Sequence, residues 1–362
     1  MFDKLPSITS FISRDRNIGR LLGVALFILI ILSILNPGLF LTVSNFKSMA
    51  YQLPEFGLLA MAIMIALLTG GIDLSAVGIA NLSGVLAALI MIRFIPQGAA
   101  GWQITLVIGA AVALGLVIGA ICGAINGFLI GRIGIPAILA TLGTMQLFTG
   151  ISIIITKGYA VLGLPDAFLY FGNGTIGIFP VPLLIFIVIA VLFALLLNKT
   201  TLGQELFLMG TNPTAAKFTG LDNFRLTLKT YMVSGLLSGL AGLMIIARTN
   251  SAKADYGASY TLQAIVVAVM GGVDPAGGAG TVIGLVLAMI SLQFLSSGFN
   301  MLRVGGSFSN YFRELVWGVV LILVMVINYL DAKKRARTPQ ESGTDAKAQM
   351  PDTAAGAGSA QK

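Results

Sequence analysis

The run QITLVIGAAVALGLVIGAICGAINGFLI, residues 103–130, decides the fold class. It carries no charged side chain and exceeds the ~20 apolar residues that an α-helix needs to cross a bilayer core of about 30 Å. Gly115, Gly119, Gly123 and Gly127 recur in it at every fourth position, which places them on one helix face. Such a row lets two helix backbones approach closely in lipid, where packing rather than hydrophobicity holds helices together. Packing within the chain is the favoured reading and contact between subunits the sharper alternative. Gly235, Gly239 and Ala241-Gly242 form a second cluster of the same kind.

Comparable apolar runs lie at about 18–35, 50–69, 75–93, 137–156, 180–197, 230–247, 259–271, 280–297 and 312–330. With 103–130 they predict an all-α polytopic membrane protein of about ten transmembrane helices. The composition agrees, with 57% hydrophobic and 10% charged residues over 362 positions, where a soluble domain carries about 25% charged residues. The run 259–271 is short for a crossing and reads as tilted, broken or extended back to Gly257. The first run reads as a retained helix rather than a cleaved leader, because Asn36-Pro37-Gly38 is not a small-x-small cleavage site.

Lys and Arg set the expected orientation. With the N-terminus inside, the inner segments hold Lys4, Arg14, Arg16, Arg20, Arg132, Lys199, Lys217, Arg225, Lys229 and the basic residues after 331. These are roughly twice as many as the outer ends hold (Lys47, Arg93, Lys157, Arg248, Lys253, Arg303, Arg313). Both termini are therefore expected in the cytoplasm. The domain plan is a cytoplasmic segment 1–17, a transmembrane domain 18–330 and a disordered cytoplasmic tail 331–362, which opens on KKRAR and then lacks large apolar residues. The basic residues are scattered at span ends, which argues against nucleic acid as a partner.

Several chemistries are excluded. There is no histidine, and Cys122 is the single cysteine. Ser-His-Asp and Cys-His catalysis are ruled out, no intramolecular disulfide can form, and no metal site is expected. No catalytic residue is assigned. No G-x-x-x-x-G-K-[ST] stretch occurs, so any ATP hydrolysis belongs to another subunit.

The candidate residues fall into three groups. Asp73 and Asp274 each follow Gly-Gly at a span edge and read as helix caps, with ion coupling as the alternative. Asn81, Asn126, Thr141, Thr144, Gln146, Gln263 and Gln293 are uncharged polar residues within spans. Their amides and hydroxyls both donate and accept, which suits a hydroxyl-rich solute, though any one of them could equally be interhelical glue. No carboxylate stands clearly in mid-span. In the outer segment 157–180, Tyr159, Phe168, Tyr170 and Phe171 read as an interfacial aromatic belt, with a docking surface as the alternative.

The third group lies in 198–229, the longest polar interruption and read as a cytoplasmic loop. Here Asn212 is a good N-cap, Pro213 suits the first helical position and Gly220 is a ready stop, predicting a short helix Pro213 to Thr219. GGIDLSAVG (70–78) also echoes GGVDPAGGAG (271–280).

Four stretches carry a family resemblance: GTNPTAAKFTGLDNFRLTLKTYMVSGLLSGLAG (210–242), LTGGIDLSAVG (68–78, with an extra Ala76), GAINGFLIGRIGIPAILATLGTM (123–145) and the Gly-rich 271–284. In this order they resemble ribose/xylose/galactose-type ABC importer permeases over most of 50–330. The family's G-x-N-x-x-A-A-x-x-x-G coupling pattern falls on Gly210, Asn212, Ala215, Ala216 and Gly220. The resemblance implies a permease subunit in the bacterial inner membrane without a cofactor of its own. It implies an ATPase subunit that carries Mg-ATP and docks near Pro213, an extracytoplasmic solute-binding protein, and a second permease copy or a sister permease. NSAKADYGASYTLQAI (250–265) is also similar to autoinducer-2 import permeases. An ion-coupled secondary carrier would need a midplane carboxylate or broken helices, and neither is evident. A branched-chain amino-acid permease would need to bind a zwitterion, and GGIDLS argues for the sugar branch.

Overall fold

The computed structural model describes residues 16–302 apart from 97, together with Leu315, Gly318, Val319, Ile322, Leu323 and Val326. The N-terminal segment up to residue 15, most of the expected span 312–330 and the tail 331–362 lie outside the described residues.

The described chain is helical: α1 (Arg16–Leu35), α2 (Pro37–Phe40), α3 (Val43–Leu67), α4 (Ala76–Phe94), α5 (Gly101–Phe128), α6 (Ala137–Thr156), α7 (Asp166–Asn173), α8 (Val181–Lys199), α9 (Thr201–Thr211), α10 (Pro213–Phe218), α11 (Asn223–Thr249), α12 (Tyr260–Met270) and α13 (Val282–Leu302). A π-helical turn, Leu129–Ile133, extends α5. Two small antiparallel pairs join Val161–Leu162 to Ser251–Ala252 and Thr175–Ile176 to Phe179–Pro180.

Eight of these helices are long and apolar enough to cross a membrane. The run 259–271 is short, as its length in sequence suggests: α12 has 11 residues, only about 16 Å at 1.5 Å per residue. Two boundaries also move, since α3 begins at Val43 and α11 at Asn223. The segment 198–229 is therefore not a loop. It is the end of α8, the whole of α9 and α10, and the first turns of α11.

Burial sorts the helices into layers. In α3 and α11, 78% of the apolar window is buried inside the protein, against 22–28% in α1, α5, α6 and α8. Residues 58–68 of α3 are fully buried on every side, as expected of a helix that is apolar all round and central. Pro54 lies inside α3. It removes one backbone donor there, which is tolerated in membrane helices that neighbours can re-satisfy.

The glycine row is used within the chain. A Cβ at Gly119 would run into the Gly235 carbonyl, one at Gly123 into the Tyr231 carbonyl and one at Gly127 into the Leu228 backbone. Helices α5 and α11 thus pack antiparallel, backbone on backbone. Gly242 likewise meets Ala80 of α4. The aromatic segment divides: Phe168 of α7 is buried, while Tyr159, Tyr170 and Phe171 are exposed. Asn173 at the end of α7 donates to the carbonyls of Ala247 and Arg248, capping the last turn of α11.

Replacing Gly119 or Gly235 by Val is expected to cost about 1–3 kcal/mol, because backbone cannot move aside as a flexible side chain can. The check is thermal melting followed by size exclusion of the detergent-purified protein. Gly150→Ala, where a methyl group meets open space, should melt like the parent. Parent-like melting of Gly119→Val would remove the α5–α11 contact.

Candidate coupling site and polar interior

Helix α10 is built as its residues dictate. Asn212 Oδ1 accepts from the Thr214 and Ala215 backbone N–H groups at 3.1 and 3.0 Å, and Pro213 occupies the first turn. The helix stops at Phe218, one residue before the expected Thr219. Gly220 has φ +88° and the Leu221 N–H donates to the Ala216 carbonyl at 3.2 Å, a six-to-one closure that satisfies the helix end. Asn223 Nδ2 donates to the Pro213 carbonyl at 2.9 Å and ties α10 to the start of α11. Ala216 is buried, whereas Ala215 and Lys217 are exposed and Phe218 is 87% exposed. Sequence reading missed Phe218 because its direction depends on where the six-residue helix sits.

Behind α10 three distant turns meet. A Cβ at Gly210 would run into the Leu68 carbonyl and the Gly278 amide, and Gly277 crowds both Gly70 and Gly210. The Gly278 N–H donates to the Leu68 carbonyl at 2.9 Å. The two echoing stretches, 70–78 and 271–280, therefore touch each other and the residues that precede α10.

Both cap expectations are corrected. Asp274 Oδ1 accepts from the Ala276 N–H at 2.9 Å and organises the 274–279 turn, while Thr281 accepts from Gly284 at the start of α13. Asp73 lies two residues before Ser75, the residue at the N-cap of α4, and is fully buried. Its Oδ1 accepts from the Ser75 N–H and Oγ at 3.0 and 2.6 Å, and its Oδ2 from Ser234 Oγ of α11 at 2.7 Å. Asn126 of α5 donates to Ser75 Oγ at 2.7 Å, and Thr144 of α6 donates to Asn126 Oδ1 at 2.6 Å. Thr141 donates to the Ile72 carbonyl at 3.1 Å. One buried network thus joins α4, α5, α6 and α11 to the 68–75 turn. Desolvation pushes the Asp73 carboxyl above the usual carboxylate range, and its Ser75 and Ser234 hydrogen bonds oppose the shift. Tyr231 Oη, packed near Gly71, is buried with no hydrogen-bond partner among the described residues.

The seven polar candidates separate. Asn126, Thr141 and Thr144 come together in the network just described. Asn81 Nδ2 donates to the Ala254 carbonyl at 2.9 Å and holds the turns that precede α12 against α4. Gln146 is exposed on α6. Gln263 of α12 and Gln293 of α13 meet elsewhere, in a cavity of about 60 Å³ that Gln52, Phe56, Tyr260 and Ser296 also line. A larger cavity of about 460 Å³ lies among Ile108, Val112, Phe168, Ile185, Leu243 and Met244, and this apolar lining offers a polyol little to bond with.

The expectation that no carboxylate stands in mid-span is overturned. Glu55 sits near the middle of α3, is 4% exposed, and pairs with Arg248 at 2.9 Å. Tyr260 Oη donates to its other oxygen at 3.0 Å. Short apolar α12 is the element that the sequence reads as too short for a crossing.

Comparison with known proteins follows the same lines. The family described as branched-chain amino acid transport system / permease component matches residues 45–325. The chain is 36% identical over 323 residues to the ribose import permease protein RbsC of Bacillus subtilis (strain 168), covering 89% of this chain and 94% of that protein. To the ribose import permease RbsC of Escherichia coli (strain K12) it is 32% identical over 311 residues, 84% and 92% of the two chains. To the autoinducer 2 import system permease protein LsrD of Yersinia enterocolitica it is 32% identical over 276 residues, 75% and 79% of the two chains. No solved structure matches the chain.

The Asp73 network generates a stability test with a definite sign. A carboxylate raised in the folded state makes folded protein bind its proton more readily than unfolded chain. The charged form then costs stability above the unfolded value, and the cost is relieved as pH falls. Asp73→Asn keeps an acceptor for Ser75 and turns an N–H toward Ser234 Oγ, which then accepts, and is expected to melt within about 1 kcal/mol of the parent. Asp73→Ala orphans Ser75 and Ser234 and should lose about 1–3 kcal/mol. Equal damage from Asn and Ala in melts at pH 5 and pH 7 would show that the charge itself is required.

Proposed function

Because the chain belongs to the branched-chain amino acid transport system / permease component family, we propose that it is the membrane-spanning subunit of an ATP-binding-cassette importer that carries a monosaccharide or related polyol across the bacterial inner membrane. The observation that carries this reading is likeness over nearly the whole length to two ribose import permeases. Import of autoinducer 2 is the second reading, favoured by the likeness to LsrD and by the stretch 250–265. A gradient-driven carrier is set aside. Its expected carboxylate, Glu55, is already committed to Arg248 and Tyr260, and the relatives are import permeases.

ATP is hydrolysed in a separate ATPase subunit that carries Mg-ATP. It docks on the exposed face of α10, with Ala215, Lys217 and Phe218 as the contact and Gly210, Asn212, Pro213, Ala216 and Gly220 as the frame. The charge bias puts α10 in the cytoplasm together with both termini. A solute-binding protein delivers the solute from the other side, and a second permease copy or a sister permease completes the path.

The junction behind α10 supplies the mechanics. Displacing α10 displaces Gly210, and Gly210 is wedged against the turns at 68–71 and 276–278. Those turns end α3 and α12 and precede α4 and α13. Closure of the ATPase pair therefore acts on four helices through backbone contacts, a two-state change biased by the partner's nucleotide.

The test is reconstitution in proteoliposomes with the cognate ATPase and binding protein, reading uptake of radiolabelled ribose. Uptake is expected to need ATP and to survive ionophores. Ala215→Asp and Phe218→Asp should cut it about tenfold or more, as hot-spot substitutions do, while the protein inserts and melts normally. Ionophore-sensitive uptake without the ATPase would overturn the assignment, and parent-like uptake by both variants would move the coupling contact elsewhere.

A further inference from the structure

A cavity with polar lining lies outside the coupling apparatus, between α3, α12 and α13. Its lining is mixed. Gln52, Gln263, Gln293 and Ser296 present amides and a hydroxyl, and Phe56 and Tyr260 present aromatic rings. No lining side chain is ionised at neutral pH, and the nearby Glu55 is held by Arg248 and Tyr260.

Gln263 is the decisive residue. It is 8% exposed, lines the cavity, and its side-chain amide has no hydrogen-bond partner among the described residues. The residue is buried but its amide atoms are not sealed off, so they are available to bond what enters the cavity. Its neighbours are loosely engaged: Gln293 Nε2 reaches Gln52 Oε1 only at 3.5 Å, the outer limit of a hydrogen bond. Asn126 and Thr144 show the contrast, because their bonding capacity is consumed between helices. A partly open space of about 60 Å³ matches about two waters at ~30 Å³ each, or one edge of a hydroxylated ring.

We propose that this cavity is a hydroxyl-recognising subsite for the transported solute, with Gln263, Gln293 and Gln52 bonding adjacent hydroxyls of a neutral polyol and Phe56 packing on its C–H face. This rests on the import function proposed above. Amides suit the task because each offers both donors and an acceptor, whereas a hydroxyl needs both from its host. Tyr260 acts as a positioning residue: its Oη bond to Glu55 fixes the first turn of α12, from which Gln263 projects one turn on.

The test uses the whole transporter, this chain with its ATPase and binding protein, in proteoliposomes, with D-ribose and 2-deoxy-D-ribose as probes. Gln263→Leu and Gln293→Leu are expected to raise the KM for ribose about tenfold and to erase the preference for ribose over the deoxy sugar, with melting unchanged. In a Cys122→Ser background, Gln263→Cys should react with a thiol reagent more slowly in the presence of ribose, by threefold or more. Tyr260→Phe should raise KM without altering which hydroxyl is preferred. Parent-like KM and preference in both leucine variants, or a labelling rate indifferent to ribose, would show that the cavity holds water only. Failure of the parent complex to import either sugar under ATP would instead overturn the proposed function and is read before any variant.

Discussion

Gly210 has no room for a side chain, and much else depends on that. Its α-carbon is boxed in by the Leu68 carbonyl and the Gly278 amide, so segments near 70, 210 and 277 meet as bare backbone. The α5–α11 seam repeats the device with Gly119 against Gly235. Lipid offers helices no hydrophobic reward for associating, so van der Waals contact at short range has to supply the attraction. Backbone contact is also stiff. A side chain can rotate out of the way of a displaced neighbour, but a carbonyl fixed in a turn cannot, so displacement at Gly210 is passed on to the turns it touches.

The sequence discloses what depends on spacing and short-range geometry. The apolar runs gave nine helices near their expected positions, and the row Gly115 to Gly127 predicted a close seam. Asn212 and Gly220 bounded α10 to within a residue, because capping is a local affair of a few atoms. Where it failed, the competing information was not local. The polar stretch 198–229 looked like a loop because Lys199, Gln204 and Arg225 depress its hydropathy, yet Thr200 and Asp222 each cap a new helix there. Asp73 and Asp274 looked like caps because an acidic residue follows Gly-Gly before a span. The structure gives Asp73 to Ser75 and Ser234, and leaves the cap of α13 to Thr281.

Glu55 shows a different limit. It follows Gln52-Leu53-Pro54, which reads as the ragged edge of a span, and its partner Arg248 lies far along the chain. Only the long α3 and the buried end of α11 bring them together. An ionised carboxylate near the middle of an apolar helix is costly unless paired, and here Arg248 stands 2.9 Å from one oxygen and Tyr260 donates to the other. That pairing removes the reason to treat the residue as a coupling site. Among the uncharged candidates the same criterion applies: a polar group whose bonds are already made is structure, and one whose bonds are open has something still to bind.

Helix α12 brings these strands together. At 11 residues it covers about half of a bilayer core, and it is preceded by the two-residue strand Ser251–Ala252 and by turns over 254–259. Non-helical backbone at depth survives only where protein satisfies it. Here Asn81 takes the Ala254 carbonyl, and Ser251 bonds Tyr256 at 2.7 Å. The chain thus gives up regular hydrogen bonding beside α3 in the region where Pro54 also deprives α3 of a donor. Pro54 stands between Gln52 and Phe56, two of the residues that line the cavity with Gln263. Local rules broken together at one place, and compensated by dedicated side chains, mark a site held for use rather than for stability.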